Sequence, residues 1–193
     1  MPADTEAAEP ARQSSADDDT RIGEAGPAEQ VESDAEHVHG HPVTWSRGQK
    51  VVHPGREDLV SLVKTLRDEG WLMCLDVTAV DHLLNEAPRR LPAGIEAERF
   101  ELVVVLISHN ERQRLRLLVQ VPEDDPVVST LFELHPGTEA MEREVFDMFG
   151  IRFDGHPDLT RILMPEDWDG HPLRKDFAVG RIPVQFKAPA AGR

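Results

Sequence analysis

Two nine-residue stretches joined by a short polar turn constrain this chain more than any other feature. Phe100–Ser108 (FELVVVLIS) is a nearly continuous run of large and β-branched apolar residues. Gln113–Val121 (QRLRLLVQV) alternates instead, with Leu115, Leu117, Val119 and Val121 on one face and Arg114, Arg116 and Gln120 largely on the other. Side chains along a strand point to opposite faces in turn. The first stretch therefore reads as a central strand and the second as a strand with one wet face. His109-Asn110-Glu111 between them makes the pair an antiparallel hairpin.

The flanking sequence supplies what covers the apolar face. After Pro54-Gly55, the segment REDLVSLVKTLRDEG places Leu59, Val60, Leu62, Val63 and Leu66 on a helical stripe, with Gly70 where a C-terminal cap belongs. Trp71–Val80 (WLMCLDVTAV) reads as a buried strand, and Asn85–Gly94 as a charged loop. Pro122–Pro126 is an acidic turn, and Val127–Leu134 reads as a further extended piece. Thr138 is placed to cap a helix running to Phe149, with Met141, Val145, Met148 and Phe149 inside and Gly150 at its end. Residues 43–150 are thus expected to form an α+β domain: a small mixed or antiparallel sheet with helices on one face.

The two flanks differ from this domain and from each other. Residues 1–42 hold 11 acidic and two basic residues and almost no large apolar ones, so they are expected to be a disordered acidic tail. His37, His39 and His41 at its end read as a solvated patch rather than a metal site, which needs preorganised ligands. Residues 151–193 are expected to be a long extended C-terminal segment. Pro157, Pro165, Pro172, Pro183 and Pro189 prevent a long helix or a central strand. Yet Ile151, Phe153, Ile162, Leu163, Trp168, Leu173 and Phe177 need burial. A partner polypeptide wrapped by the segment supplies it.

Charge and cysteine content narrow the function. A formal charge of -15 repels phosphate backbones and anionic membrane surfaces, so neither nucleic acid nor lipid is expected as a direct partner. The longest apolar runs, Leu102–Ile107 and Trp71–Leu75, are far shorter than a membrane span. The first twenty residues lack the basic and apolar regions of a signal peptide, so a cytosolic chain is expected. One cysteine, Cys74, allows no intrachain disulfide and cannot hold an iron–sulfur centre. It lies in an apolar run and reads as inert core.

Motifs for dinucleotide binding, a P-loop, a nucleophile elbow and an HExxH zinc site are all missing. Gly-His-Pro occurs three times, at Gly40-His41-Pro42, Gly155-His156-Pro157 and Gly170-His171-Pro172, each read as a turn with an outward imidazole. His156 and His171 alone leave a metal site incomplete. Glu139, Arg143 and Asp147 fall at i, i+4 and i+8 and read as a salt-bridged helical stripe, with Glu142 and Glu144 pointing elsewhere. Arg161, Arg174 and Lys175 read as cations paired to an acidic body or partner.

The segment EREVFDMFGIRFDGHPDLTRILMPEDWDGHPLRKDF, Glu142 to Phe177, closely resembles the signature block of the C-subunit family of NADH–quinone oxidoreductase, the proton-pumping respiratory complex I. LDVTAVD, Leu75 to Asp81, is similar to an earlier strand of that family, and the resemblance covers residues 45–187. The acidic first 42 residues depart from the family, as does Ala140-Met141, where it usually has Asn-Trp. The resemblance implies a non-redox subunit of the peripheral arm, on the cytoplasmic side of the membrane, that touches the membrane only through the complex. It implies that the C-terminal segment wraps the D subunit, near the B and I subunits. FMN, iron–sulfur clusters and quinone then belong to other subunits. Glu142, Arg143, Glu144, Asp147, Gly150, His156, Pro157, Arg161, Trp168, His171, Pro172, Arg174, Lys175 and Asp176 become assembly residues, none of them catalytic. Two alternatives follow from the same residues: a homologous scaffold module of a membrane-bound hydrogenase, and a stand-alone metalloenzyme built on His156 and His171.

Overall fold

The computed structural model describes residues 36–178. Most of the expected acidic tail and residues 179–193 lie outside the described residues. Strand β1 (His37–Val38) and strand β2 (His41–Ser46) are joined by His39-Gly40. Strand β3 (Gln49–Val52) follows β2 through Arg47-Gly48. Both loops are left-handed at both positions, with φ of 50° and 83° in the first and 52° and 72° in the second. Such primed turns match the twist of the flanking strands. The expected tail boundary at residue 42 is therefore corrected. His37 and His41 lie in a hairpin, paired with Pro42 and Val38, with His39 at its turn. The cause is local: Val43 pairs with Val52, and burying that pair fixes the hairpin against the core.

Helix α1 (Leu59–Asp68) carries the chain from β3 to strand β4 (Met73–Asp81), and strands β5 (Phe100–Ser108) and β6 (Gln113–Val121) form the expected hairpin. Their register runs from Phe100 opposite Val121 to Ser108 opposite Gln113. β3 joins β6 in parallel, with Val52 beside Leu117, and β4 joins β5 antiparallel. The six-stranded sheet has the order β1-β2-β3-β6-β5-β4. It is mixed, because α1 must cross the sheet to reach its far edge. β5 is internal, as its apolar run requires. β4 is an edge strand rather than a buried one. Val77 and Ala79 face the core, while Leu72, Met73 and Val80 are exposed.

One face of the sheet carries the core. Phe100, Leu102, Val104 and Leu106 of β5 and Leu115, Leu117, Val119 and Val121 of β6 are buried there with Leu59, Leu62, Val63 and Leu66 of α1. Full burial of each such side chain contributes about 1.5–3 kcal/mol. α1 ends as its sequence indicates. Gly70, at φ 104°, donates to the Arg67 carbonyl, and the Trp71 N–H reaches the Leu66 carbonyl.

Strand β7 (Val127–Ser129), a 3-10 turn at Pro136–Thr138, helix α2 (Glu139–Phe149) and strand β8 (Arg152–Asp154) complete the domain. β7 and β8 pair in parallel, with Val128 beside Phe153. Only the first three residues of the expected extended piece at 127–134 are strand. Val145, Met148 and Phe149 of α2 join the same core, so both helices cover one face. Ile151 and Phe153 are also core, so the domain does not stop at Gly150. Among the described residues, no helix is long and apolar enough to cross a membrane.

Candidate functional site

The last four carbonyls of any α-helix lack intrahelical donors. In α2 these belong to Phe146, Asp147, Met148 and Phe149, and residues 150–174 supply donors to all four. Gly150, left-handed at φ 75°, donates to Phe146 at 2.9 Å. The Arg161 guanidinium and His171 Nδ1 reach the Asp147 carbonyl at 3.2 and 3.0 Å. The Leu173 N–H meets the Met148 carbonyl at 3.0 Å, and Arg174 Nε the Phe149 carbonyl at 2.6 Å. The C-terminal segment therefore caps the helix that precedes it.

Asp147 is the hub of this arrangement. Its side chain is fully buried, and Oδ2 accepts the backbone N–H groups of Ile162, Leu163 and Met164 at 3.0, 2.8 and 2.8 Å. Arg161 pairs with Oδ1 at 2.6 Å. Consecutive N–H groups turned to one oxygen form an anion nest. Burial raises the pKa of this carboxyl, but the Met164 N–H, the Arg161 guanidinium and the Leu163 and Ile162 N–H groups outweigh it and hold the pKa below the ordinary range.

The expected Glu139–Arg143–Asp147 stripe forms only in its first half. Arg143 pairs with Glu139 at 3.0 Å, but its remaining nitrogens bind Thr160 and the Arg161 carbonyl. Asp147 faces inward to Arg161 instead. Glu144 is exposed, whereas Glu142 is completely buried. Glu142 accepts the Thr130 hydroxyl, the Leu131 N–H at 2.8 Å and the Thr138 hydroxyl at 2.8 Å. Thr138 accordingly makes no side-chain cap to the α2 backbone.

The Gly-His-Pro turns have the expected positive φ at Gly40, Gly155 and Gly170. The imidazoles of His156 and His171 do not point outward. His156 engages the Glu139 carbonyl through Nε2 at 3.1 Å and the Asp158 N–H through Nδ1 at 3.1 Å. Both ring nitrogens are thereby occupied, which removes His156 as a ready metal ligand. His171 turns in because the Asp147 carbonyl needs a donor. It lies so close to Gly150 that a Cβ there would sit 2.5 Å from His171 Nε2 and 2.6 Å from an Arg174 nitrogen. Pro157 is exposed and Pro172 half-buried beside these turns. Trp168 stacks on Phe177 with ring centroids 6.4 Å apart.

A second anchor ties the end of the segment to the sheet. Arg99 pairs with Asp81 at 2.9 Å, with Asp176 at 2.7 Å and with Glu123. Asp81 also accepts the Lys175 N–H at 2.8 Å and the Leu83 N–H at 2.9 Å. Arg99 and Arg174 both lie over the Phe100 ring, at 4.9 and 5.1 Å. Asp81 and Arg99 carry none of the local spacings that mark a motif. The signals that point to them are a carboxylate closing an apolar strand and an arginine opening the central one. The expectation of an extended segment covered only by another chain is thus corrected for residues 151–178. They are held to their own domain, but by polar staples. Ile162, Leu163 and Leu173 remain exposed, the last two at 60% and 49%.

Burial also sets the protonation of several side chains. It pushes the Cys74 thiol up to about 11, in keeping with an unreactive cysteine. It lowers the pKa of His53, His82, His135 and His171 below the ordinary imidazole value of 6.5. Below that pH the unfolded chain binds more protons than the folded one, so stability falls as pH falls. Urea midpoints of the chain are expected to be level above about pH 7 and to drop steadily toward about pH 5.5. A midpoint that stays flat or rises over that range contradicts the assignment.

Fold and site together define a mixed-sheet α+β module that staples its own C-terminal segment across the end of its second helix. The family model described as respiratory-chain NADH dehydrogenase, 30 kDa subunit, matches residues 52–182, and the chain belongs to this family. It is 45% identical over 148 residues to the C subunit of NADH-quinone oxidoreductase from Saccharopolyspora erythraea, covering 75% of this chain and 55% of that protein. It is 44% identical over 144 residues to the corresponding C subunit from Mycobacterium marinum, covering 73% and 56%. The chain spans about half the length of these curated relatives. Among solved structures it is similar to the trypsin-resistant fragment (1-134) of Nqo5, with 32% identity and a TM-score of 0.55, covering 62% of this chain and 90% of that one. A chain of an archaeal membrane-bound sulfane sulfur reductase shares the fold, with 21% identity and a TM-score of 0.59 over 79% of this chain and 90% of that one.

Proposed function

We propose that this chain is a non-redox structural subunit in the peripheral arm of a proton-translocating NADH–quinone oxidoreductase. In this reading it helps to place the quinone-site and cluster-bearing subunits for electron transfer from NADH to quinone. The D subunit is its chief neighbour, with the B and I subunits nearby. FMN, the iron–sulfur clusters and quinone reside in those or other subunits, and a single cysteine supports that division. The chain lies on the cytoplasmic side of the membrane, held there through the complex. Family membership and the names of the relatives support the assembly.

One observation carries the structural role. Backbone N–H groups of residues 162–164 and 173 are fixed to α2, while Leu163 and Leu173 face outward. Both positions are preorganised, so a partner that covers these leucines need not order them. Replacing both leucines by aspartate is expected to leave the isolated chain folded, with its unfolding free energy in urea changed by no more than about 0.5 kcal/mol. Incorporation into the complex is expected to weaken about a hundredfold or more, from loss of at least ~3 kcal/mol of apolar burial. Co-purification of the other subunits with the tagged chain measures it. A double variant that still enters a fully active complex overturns the reading.

A further inference from the structure

A separate feature lies where the β2–β3 turn approaches the start of β6. A cleft of about 450 Å³ opens there, lined by Trp45, Gln49, Lys50, Arg112, Gln113 and Arg114. Trp45 is 61% exposed. Arg47 stands beside it in the β2–β3 turn. In a chain of net charge -15 this is a local concentration of cations.

Two observations indicate what the cleft receives. First, a carboxylate already sits at its rim. Glu36 accepts the Trp45 indole N–H at 2.9 Å through one oxygen and pairs with Lys50 at 2.6 Å through the other. Lys50 also lies 5.6 Å from the centre of the Trp45 ring. Second, the guanidinium groups of Arg47, Arg112 and Arg114 meet no acceptor among the described residues, and Glu111 in the same turn as Arg112 pairs with none of them. Arg47 and Arg112 moreover occupy left-handed backbone positions, at φ 52° and 51°. A side chain other than glycine in that region costs roughly 1–2 kcal/mol. Arginine at these two positions is not explained by the turns themselves.

We propose that this cleft binds an acidic segment of a partner polypeptide. Arg112 and Arg114 receive its carboxylates beside the Glu36-paired Lys50, and the Trp45 ring forms the apolar wall. Arg112 closes the β5–β6 turn and Arg114 follows in β6, and both line the cleft. An extended acidic peptide presents alternate side chains to one face at a spacing of roughly 6–7 Å, so several carboxylates can reach these cations at once. Coulombic attraction between exposed groups is screened beyond about 8–10 Å. The local cations therefore outweigh the distant carboxylates of this chain at the cleft. The proposal does not depend on the role assigned to Leu163 and Leu173, and its failure leaves that role untouched.

The test uses the full-length chain and the labelled peptide Gly-Glu-Gly-Glu-Gly-Glu-Gly, with its Gln counterpart as control, followed by fluorescence anisotropy at low salt. Saturable binding of the Glu peptide alone is expected. Affinity is expected to fall at least tenfold in R112E/R114E and in the milder R112Q/R114Q, whose sites are exposed and whose thermal unfolding should match the parent. Equal binding by parent and variants, or no binding by the parent, overturns the proposal. Displacement of the peptide by inorganic phosphate at matched charge overturns it in favour of an unspecific anion site. Concentration-dependent self-association of the parent, abolished in R112E/R114E, overturns it in favour of a second copy as occupant.

Discussion

Asp147→Ala is expected to destabilise the chain by about 3–5 kcal/mol, because the change strands a partly buried guanidinium and three partly buried N–H groups together. The carboxylate now satisfies Arg161 and the N–H groups of residues 162–164 at once. Alanine leaves the three N–H groups without that acceptor and leaves Arg161 only the Asp147 and Gly170 carbonyls, with no counter-charge. Asp147→Asn keeps the shape and one oxygen but loses the charge, so an intermediate loss is expected. Urea denaturation gives the stability, and limited proteolysis after Arg161 reports release of the segment. A loss under about 1 kcal/mol for the alanine variant would show that water replaces the carboxylate, contrary to a buried hub.

Gly150→Ala is the second large effect. The left-handed backbone at φ 75° carries a penalty of roughly 1–2 kcal/mol for any residue with a Cβ. The new methyl group also collides with His171 and Arg174. Together these predict a loss of about 3 kcal/mol, of which the collision contributes the part above simple backbone strain. Nuclear magnetic resonance titration of His171 separates the two causes. If the ring is displaced into water, its pKa returns upward toward 6.5. An unchanged His171 titration with a loss of only about 1 kcal/mol assigns the effect to backbone strain alone.

Much of the sheet is legible because its signals are local. The alternation in Gln113–Val121 and the apolar run of Phe100–Ser108 specify strands wherever the chain goes, and Gly70 and Gly150 mark helix ends by their backbone freedom alone. The first three strands escape notice for the opposite reason. Residues 37–52 contain few large apolar side chains, and their acidic neighbours dominate any average over the first 42. The dipeptides His39-Gly40 and Arg47-Gly48 are the available clue, each a two-residue turn between short runs. The edge position of β4 depends on α1 crossing the sheet, which no property of Trp71–Val80 encodes.

The candidate site divides in the same way. Positive φ in the Gly-His-Pro turns follows from glycine before histidine-proline. The direction of the imidazoles does not, because it answers to α2 carbonyls that exist as acceptors only once the helix has formed. The i, i+4 rule assigns Asp147 to Arg143, yet its partner is Arg161, fourteen residues on. A fully buried carboxylate needs more donors than one helical neighbour offers, and the anion nest supplies them. Glu142 shows this again, with Thr130 and Leu131 reaching it from the connection that leads to the helix.

The closing of α2 by residues that follow it has a consequence during synthesis. A nascent chain that has emerged only as far as Phe149 presents a helix end with bare carbonyls and a carboxylate lacking its cation. Ile151 and Phe153 are still missing from the core at that stage. A chain that halts before Arg161 therefore keeps an open helix end, and it is expected to be cut by proteases that spare a chain extended through the stapled residues 161–176.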